Sequence, residues 1–216
     1  MRIQDINFGK EIENIFEQIK DCSINPIMKT QGFVPPYFRN EKLVKLIIIG
    51  QDPTIKNAYR RKYITKTLNL DKKGALKSYV ESICQGLGIS LDNVYATNLF
   101  KYFYHTPPAQ TFDVLKEHLQ PNLELLKKEL SVFPKCPIIT LGEPVLNLLL
   151  NYKAKIRHYW GYNTNTKISN GVFKYVLAND NQLNRNIYPF CHLPSIRKKF
   201  YKTTLNQYLE FVKQHF

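Results

Sequence analysis

Apolar residues recur along the chain with two different spacings, and each spacing predicts one kind of secondary structure. Apolar residues three or four positions apart predict amphipathic helices. These helices are predicted at 8–20, 74–87, 111–130, 143–151 and 203–215. Short continuous runs of apolar, β-branched residues predict buried strands. These strands are predicted at 43–49, 93–98, 137–141, 172–178 and 186–191. The alternation of helices and strands indicates a parallel sheet covered by helices on both faces.

The first predicted strand ends in a polar turn that carries a single carboxylate. The apolar run 46–49 is followed by Gly50, Gln51, Asp52 and Pro53. Gly50 permits a sharp turn and a close approach by another molecule, and Pro53 restricts the backbone of Asp52. Because ligands bind beyond the carboxyl ends of parallel strands, Asp52 is the best candidate for a catalytic carboxylate. The alternative is that Asp52 only caps the turn.

Three later segments have the same form, an apolar strand that runs into a polar turn. Residues 94–101 end in the pattern Thr-Asn-x-x-Lys, with Asn98 at the end of the strand. Residues 138–144 run into a turn led by Gly142. Residues 187–195 end in the pattern His-Leu-Pro-Ser. The sequence therefore predicts polar side chains at several strand ends along one edge of the sheet.

In their order along the chain, these turns resemble the signature motifs of the uracil-DNA glycosylase superfamily. The resemblance covers roughly residues 40–215. It implies a three-layer α/β/α sandwich with a central, mostly parallel four-stranded sheet, which we expect to form a single domain over residues 1–216. It also implies a monofunctional DNA glycosylase of base excision repair. Such a hydrolase flips uracil or a related damaged base out of DNA and hydrolyses its N-glycosidic bond.

The resemblance implies a role for each candidate residue. Asp52 is expected to stabilise the cationic sugar and orient the attacking water, while His192 donates to the departing base. Asn98 offers an acceptor and a donor that match the N3–H and O4 edge of uracil, unless it only caps the strand. The residues expected to bind substrate are Gly50, Gln51, Pro53, Tyr63 and Asn98. Tyr63, with Tyr59 as second choice, is expected beneath the base; the competing interpretation places these tyrosines on a basic surface that contacts phosphate.

The segment after the His-Leu-Pro-Ser pattern is expected to contact DNA. In the family this loop enters the minor groove and helps to extrude the nucleotide, a role in which Ile196 would be the apolar wedge. The alternative is the first turn of a solvated helix. The residues expected to bind DNA are Ser195, Ile196, Arg197, Lys198 and Lys199.

Two departures from the family pattern leave alternatives open. Thr54 stands where the best-known branch has a tyrosine that blocks the thymine methyl, which favours a glycosylase for a different lesion. The late motif contains an extra Leu193 between His192 and Pro194. Either a bulge returns His192 to the site, which we favour because Pro194 cannot donate to a strand ladder, or Leu193 faces the pocket. The second arrangement favours a catalytically weak or inactive DNA-binding relative.

The amino-acid composition indicates which partner the protein binds and in which cellular compartment it is expected. The chain has 31 Lys and Arg against 17 Asp and Glu, a formal net charge of +14, which predicts binding to nucleic acid unless the whole proteome is basic. The four cysteines are far apart, so we expect no metal, cluster or other cofactor. No signal peptide or membrane span is indicated. We expect a cytoplasmic, nucleoid-associated monomer.

Overall fold

The computed structural model describes residues 1–22, 32–108, 112–193 and 199–215. Four strands are found in these residues: β1 (Leu46–Gly50), β2 (Val94–Asn98), β3 (Ile138–Leu141) and β4 (Ile187–Phe190). The helices of the same residues are α1 (Phe8–Gln18), α2 (Ala58–Arg61), α3 (Ala75–Gly86), α4 (Phe112–Glu117), α5 (Leu119–Leu130), α6 (Glu143–Leu149), α7 (Ile156–Tyr159) and α8 (Lys199–Lys213).

The four strands form one parallel sheet in the order β2-β1-β3-β4. Helices cover the sheet on both sides, so the predicted α/β/α sandwich with a four-stranded sheet is confirmed. All residues of the four strands are buried, as expected of a parallel sheet that has no solvent-facing side. The carboxyl ends of all four strands therefore lie along one edge, where the polar turns follow them.

The helices pack in pairs through apolar faces. Helix α1 contacts α5, and α3 contacts α8. A Cβ atom on Gly86 would lie 2.6 Å from the Leu209 side chain, so the glycine allows α8 to approach α3 closely. Trp160 is fully buried and stacks against Tyr208 of α8 at a centroid distance of 4.5 Å. These contacts hold the helical layers against the sheet.

Two of the predicted secondary-structure elements differ from those in the structure. The helix predicted over 111–130 is interrupted between α4 and α5, because Pro121 has no N–H to donate to the carbonyl of Glu117. The strand predicted at 172–178 was wrong: within it, only Val176 pairs, through an isolated antiparallel bridge to Ile187.

The backbone of residues 172–178 finds partners outside the sheet. The N–H of Lys174 donates to the carbonyl of Tyr159, and the carbonyl of Lys174 accepts from the Tyr208 hydroxyl. Phe173 and Tyr175 pack against aromatic residues of α8. Packing against a helix therefore accounts for Phe173 and Tyr175 of this run, whereas Val172 and Leu177 are exposed.

In the described part of the chain, no helix combines the length and the apolar character needed to cross a membrane. The cysteines are all free thiols; Cys84 and Cys191 are buried, whereas Cys22 and Cys136 are half-buried.

Candidate active site

The turns after β1 and β2 lie side by side at the carboxyl edge of the sheet. Gly50 and Asn98 are paired in register as the last residues of their strands. The pairing continues beyond the strands, since the N–H of Leu99 donates to the carbonyl of Gly50 at 2.9 Å and that of Phe100 to Gln51 at 2.9 Å. The backbone on either side of the Gly-Gln-Asp-Pro turn is therefore fixed by the sheet.

The Asn98 side chain lies directly over the Cα atom of Gly50. A Cβ atom on Gly50 would overlap Asn98 Oδ1 and would lie 3.0 Å from Leu68 Cδ2. Asn98 is 1% exposed, and its Oδ1 atom has no hydrogen-bond partner in the described residues. A buried amide oxygen without a partner is costly and marks a place where a ligand can donate to it.

The Asp52 carboxylate is half-buried and held by its own turn. Its Oδ1 accepts from the N–H of Thr54 at 2.7 Å, and its Oδ2 accepts from Nε2 of Gln51 at 2.7 Å. Desolvation raises the pKa of the Asp52 carboxyl above its usual value, although these hydrogen bonds and the positive charge of Arg61 act to lower it. The carboxylate is thus fixed in orientation within a partly dehydrated site.

Arg61 and Thr54 tie the Asp52 turn to the neighbouring loop. The buried Arg61 guanidinium donates to the carbonyl of Ile55 at 3.1 Å and to that of His105 at 2.8 Å. Thr54 Oγ1 accepts from the N–H of Tyr104 at 2.8 Å. Thr54, which departs from the family pattern, therefore links the turn to the loop that contains Tyr104. The sequence did not indicate this structural role.

A buried polar network lies beneath Asn98. Lys101 and Glu129 are both fully buried, with Lys101 Nζ 2.5 Å from Glu129 Oε1. The same ammonium donates to the backbone carbonyl of Asn98 at 2.9 Å. The other carboxylate oxygen accepts from the hydroxyls of Tyr95 at 2.5 Å and Thr97 at 2.8 Å. The end of β2 is therefore anchored to helix α5 through an ion pair.

His192 lies just beyond β4, next to the turn that follows β3. The N–H of Gly142 donates to the carbonyl of Phe190 at 2.8 Å, and a Cβ atom on Gly142 would lie 3.5 Å from His192 Cβ. Gly142 has φ of 113°, a conformation that favours glycine. The His192 side chain is solvent-accessible, yet nearby atoms desolvate it enough to lower the pKa of the imidazole. Two strand spacings, roughly 10 Å, separate the ends of β1 and β4.

The predicted site residues fall into two groups. The structure brings Gly50, Gln51, Asp52, Pro53 and Asn98 together at adjacent strand ends. No hydrogen bond among the described residues links His192 to this group. Which of His192 and Leu193 faces a bound base therefore stays a prediction, since Leu193 is also 40% exposed.

The predicted aromatic platform, Tyr63 or Tyr59, is exposed to solvent. Tyr63 is 59% exposed and Tyr59 is 86% exposed, whereas Leu68 is the side chain that contacts the Gly50 position. Leu68 adopts φ of 58°, which is strained for a leucine. The role of Tyr63 beneath the base stays a prediction.

The predicted DNA-binding segment is only partly described. Ser195, Ile196, Arg197 and Lys198 lie outside the described residues, so their roles stay predictions. Lys199 is exposed at the first position of α8. Within residues 1–22, 32–108, 112–193 and 199–215, no three His, Cys, Asp or Glu residues form a group able to hold a metal ion.

Sequence reasoning missed several residues of this region. Glu129 had a detectable signal, because it lies three positions after Leu126 on the inward stripe of α5, where an acid requires a buried partner. Lys101 belonged to the Thr-Asn-x-x-Lys pattern, but no contact was assigned to it. Leu68 and Arg61 had no local signal, since their positions depend on tertiary packing.

Comparison with known proteins gives one family. The model of the uracil DNA glycosylase superfamily matches residues 36–213, which include all the strand-end turns described above. No curated protein matches the chain.

Proposed function

The chain belongs to the uracil DNA glycosylase superfamily, and we propose that it removes uracil from DNA by flipping the nucleotide and hydrolysing its N-glycosidic bond. Membership supports a glycosylase-type function in DNA repair, with DNA as the partner. We further propose a cytoplasmic, nucleoid-associated monomer that needs no metal or organic cofactor.

Uracil is proposed as the substrate base because the amide oxygen of Asn98 has no hydrogen-bond partner in the described residues. Its Oδ1 atom is buried against the Gly50 position, and it can accept a hydrogen bond from N3–H of uracil. The amide nitrogen then donates to O4 of the same base. Cytosine presents an acceptor at N3 and a donor at C4, so it would leave both groups of Asn98 unpaired.

Asp52 supplies the charge that bond cleavage requires. As the glycosidic bond breaks, the sugar becomes cationic and the base takes up negative charge. A carboxylate fixed by Gln51 and Thr54 stabilises the sugar without reorganising, and it orients the water that attacks the anomeric carbon. Its pKa is raised by burial, so the ionised, active form is lost at a higher pH than for an ordinary aspartate.

His192 is the proposed donor to the departing base. Because desolvation lowers its pKa, the imidazole is neutral at neutral pH and donates a hydrogen bond from a ring N–H. This bond strengthens as negative charge develops on the base carbonyl. The segment that follows completes the proposed DNA contact, with Ile196 as the apolar wedge and with Ser195, Arg197, Lys198 and Lys199 on phosphates.

The direct test is release of free uracil from a uracil-containing oligonucleotide without added metal. We expect release by the wild-type protein and a fall of at least ~100-fold for Asp52→Asn, scaled to known preorganised electrostatic effects. Asp21→Asn is the matched control, because Asp21 is exposed and distant in sequence from the turn. An equal rate for both variants would show that Asp52 is the wrong carboxylate.

Two alternatives to a uracil-specific glycosylase are each supported by a particular residue or pair of residues. Thr54 favours a different lesion, so hypoxanthine and thymine-mismatch substrates belong in the same assay. The exposed His192–Leu193 pair favours a weak or inactive DNA-binding relative. Intact substrates at stoichiometric protein, with retained DNA binding, would establish that second alternative.

A further inference from the structure

A groove of about 460 Å³ lies beside the Asp52 turn, between the loop after β1 and the start of α3. Its floor is apolar and includes Ile55, Ile64 and Leu68. Its volume is in the range of sites that bind small organic groups. The groove is adjacent to the candidate active site, because Ile55 follows Asp52 by three residues and Leu68 contacts the Gly50 position.

The rim of the groove is strongly cationic. Arg60, Lys72, Lys73 and Lys77 line it, and the residues that line it include no carboxylate in the described part of the chain. The nearby Asp71 carboxylate accepts from the Thr65 hydroxyl at 2.6 Å. The groove therefore offers a concentrated positive charge to a polyanion.

The start of α3 adds donors to the same rim. The helix begins at Ala75 after Gly74, which provides no side-chain cap, and its first turn has no acidic residue. The backbone N–H groups of 75–77 have no acceptor among the described residues, as is usual for a first helical turn without a cap. Such groups bind phosphate well when lysines stand beside them.

Two further features of the groove indicate a ligand with bases as well as phosphates. Tyr63 presents an exposed ring on the rim, where Lys72 donates to its backbone carbonyl and Lys62 lies 5.1 Å from its ring centroid. Asn69, which also lines the groove, has a buried Oδ1 without a partner in the described residues and φ of 52°. Left-handed backbone at Leu68 and Asn69 in succession is strained, and strain of this kind clusters at ligand sites.

We propose that this groove binds the nucleotide next to the extruded one in a DNA strand. A phosphate lies against Lys72, Lys73, Lys77 and the start of α3, and the neighbouring base stacks on Tyr63. The identity of the polyanion as DNA rests on the proposed function. Tyr63 then belongs to a basic surface with aromatics, and Leu68 lies against the Gly50 position, as the Asn98 amide does.

The charge arm of the test compares two triple variants in binding to a uracil-free single-stranded oligonucleotide, measured by fluorescence anisotropy at several salt concentrations. Lys72→Ala/Lys73→Ala/Lys77→Ala should flatten the slope of log K against log salt by about 0.7 units, the value for one phosphate contact on a single strand. The control removes the same charge from exposed lysines near the amino ends of β1 and β3. It is Lys42→Ala/Lys45→Ala/Lys135→Ala, and its slope should stay that of the wild type.

The stacking arm compares Tyr63→Ala with Tyr63→Phe in the same assay. Loss of the ring should weaken binding about 5- to 150-fold, the range for loss of one base stack, whereas phenylalanine should retain wild-type affinity. The proposal that this groove binds DNA would be contradicted by equal slopes for the two triple variants. It would also be contradicted by equal affinity for Tyr63→Ala and wild type. Because the oligonucleotide contains no uracil, these results do not depend on base release. If the protein binds the oligonucleotide as expected but releases no base from any substrate, the proposed function is wrong and the proposal for the groove still holds.

Discussion

Replacing Lys101 by methionine should be among the most damaging single changes in this chain. Lys101 and Glu129 are both fully buried, with Nζ and Oε1 2.5 Å apart. Methionine keeps much of the length of the lysine stem but removes the charge, so the Glu129 carboxylate stays buried opposite an apolar group. Breaking one side of a buried ion pair costs about 3–5 kcal/mol.

The other contacts of Glu129 do not offset this loss. Of the two carboxylate oxygens, the Tyr95 and Thr97 hydroxyls donate to Oε2, so Oε1 would face no cation. At roughly 2–4 °C per kcal/mol for a chain of this size, the melting temperature should fall by about 6–20 °C. The Asn98 carbonyl also loses its donor, so base release should slow even at temperatures where the variant is folded.

Urea denaturation followed by circular dichroism measures the free energy of unfolding. Lys45→Met is the matched control, because Lys45 is exposed and should change stability by less than about 0.5 kcal/mol. The double variant Lys101→Met/Glu129→Gln should recover part of the loss, since no unpaired charge stays buried. If Lys101→Met costs no more than Lys45→Met, the pair does not stabilise the fold and the reasoning is refuted.

Four further predictions concern the strand-end turns. Gly50→Ala should displace the Asn98 amide and reduce uracil release with little loss of DNA affinity; unchanged release would mean that the amide does not read the base. Asp52→Asn should be at least as stable as wild type at pH 7 by urea denaturation. The raised pKa of Asp52 means that its ionised form costs stability as pH rises through that pKa, so the stability difference should disappear below about pH 3.8. For the same reason, the acid limb of the rate profile should be centred above pH 3.8, and a lower midpoint would contradict an essential Asp52 carboxylate. His192→Ala should lower the rate of base release with little change in binding, whereas Leu193→Ala should affect mainly stability; the reverse pattern would place Leu193 in the pocket.

The strands and their polar ends could be predicted from the sequence because both signals are local. A run such as 46–49 is apolar at every position, as expected of a strand buried on two faces. Gly50, Asp52 and Asn98 follow such runs directly, so knowledge of a parallel sheet was enough to place them at one edge. Residues 172–178 had a similar composition and were assigned wrongly, because apolar content alone does not distinguish a sheet from packing against a helix.

The surroundings of those turns depend on contacts between residues that are far apart in the sequence. Glu129 reaches Lys101 across an interval of 28 residues, and Leu68 reaches Gly50 only through a left-handed backbone that no local pattern favours. The cationic groove likewise depends on the loop after β1 folding back against the start of α3. Hydrophobic periodicity indicates which face of a helix or strand is buried. The contacts described here depend instead on which helices, strands and loops pack against each other, and this pairing is determined by the packing of the whole chain.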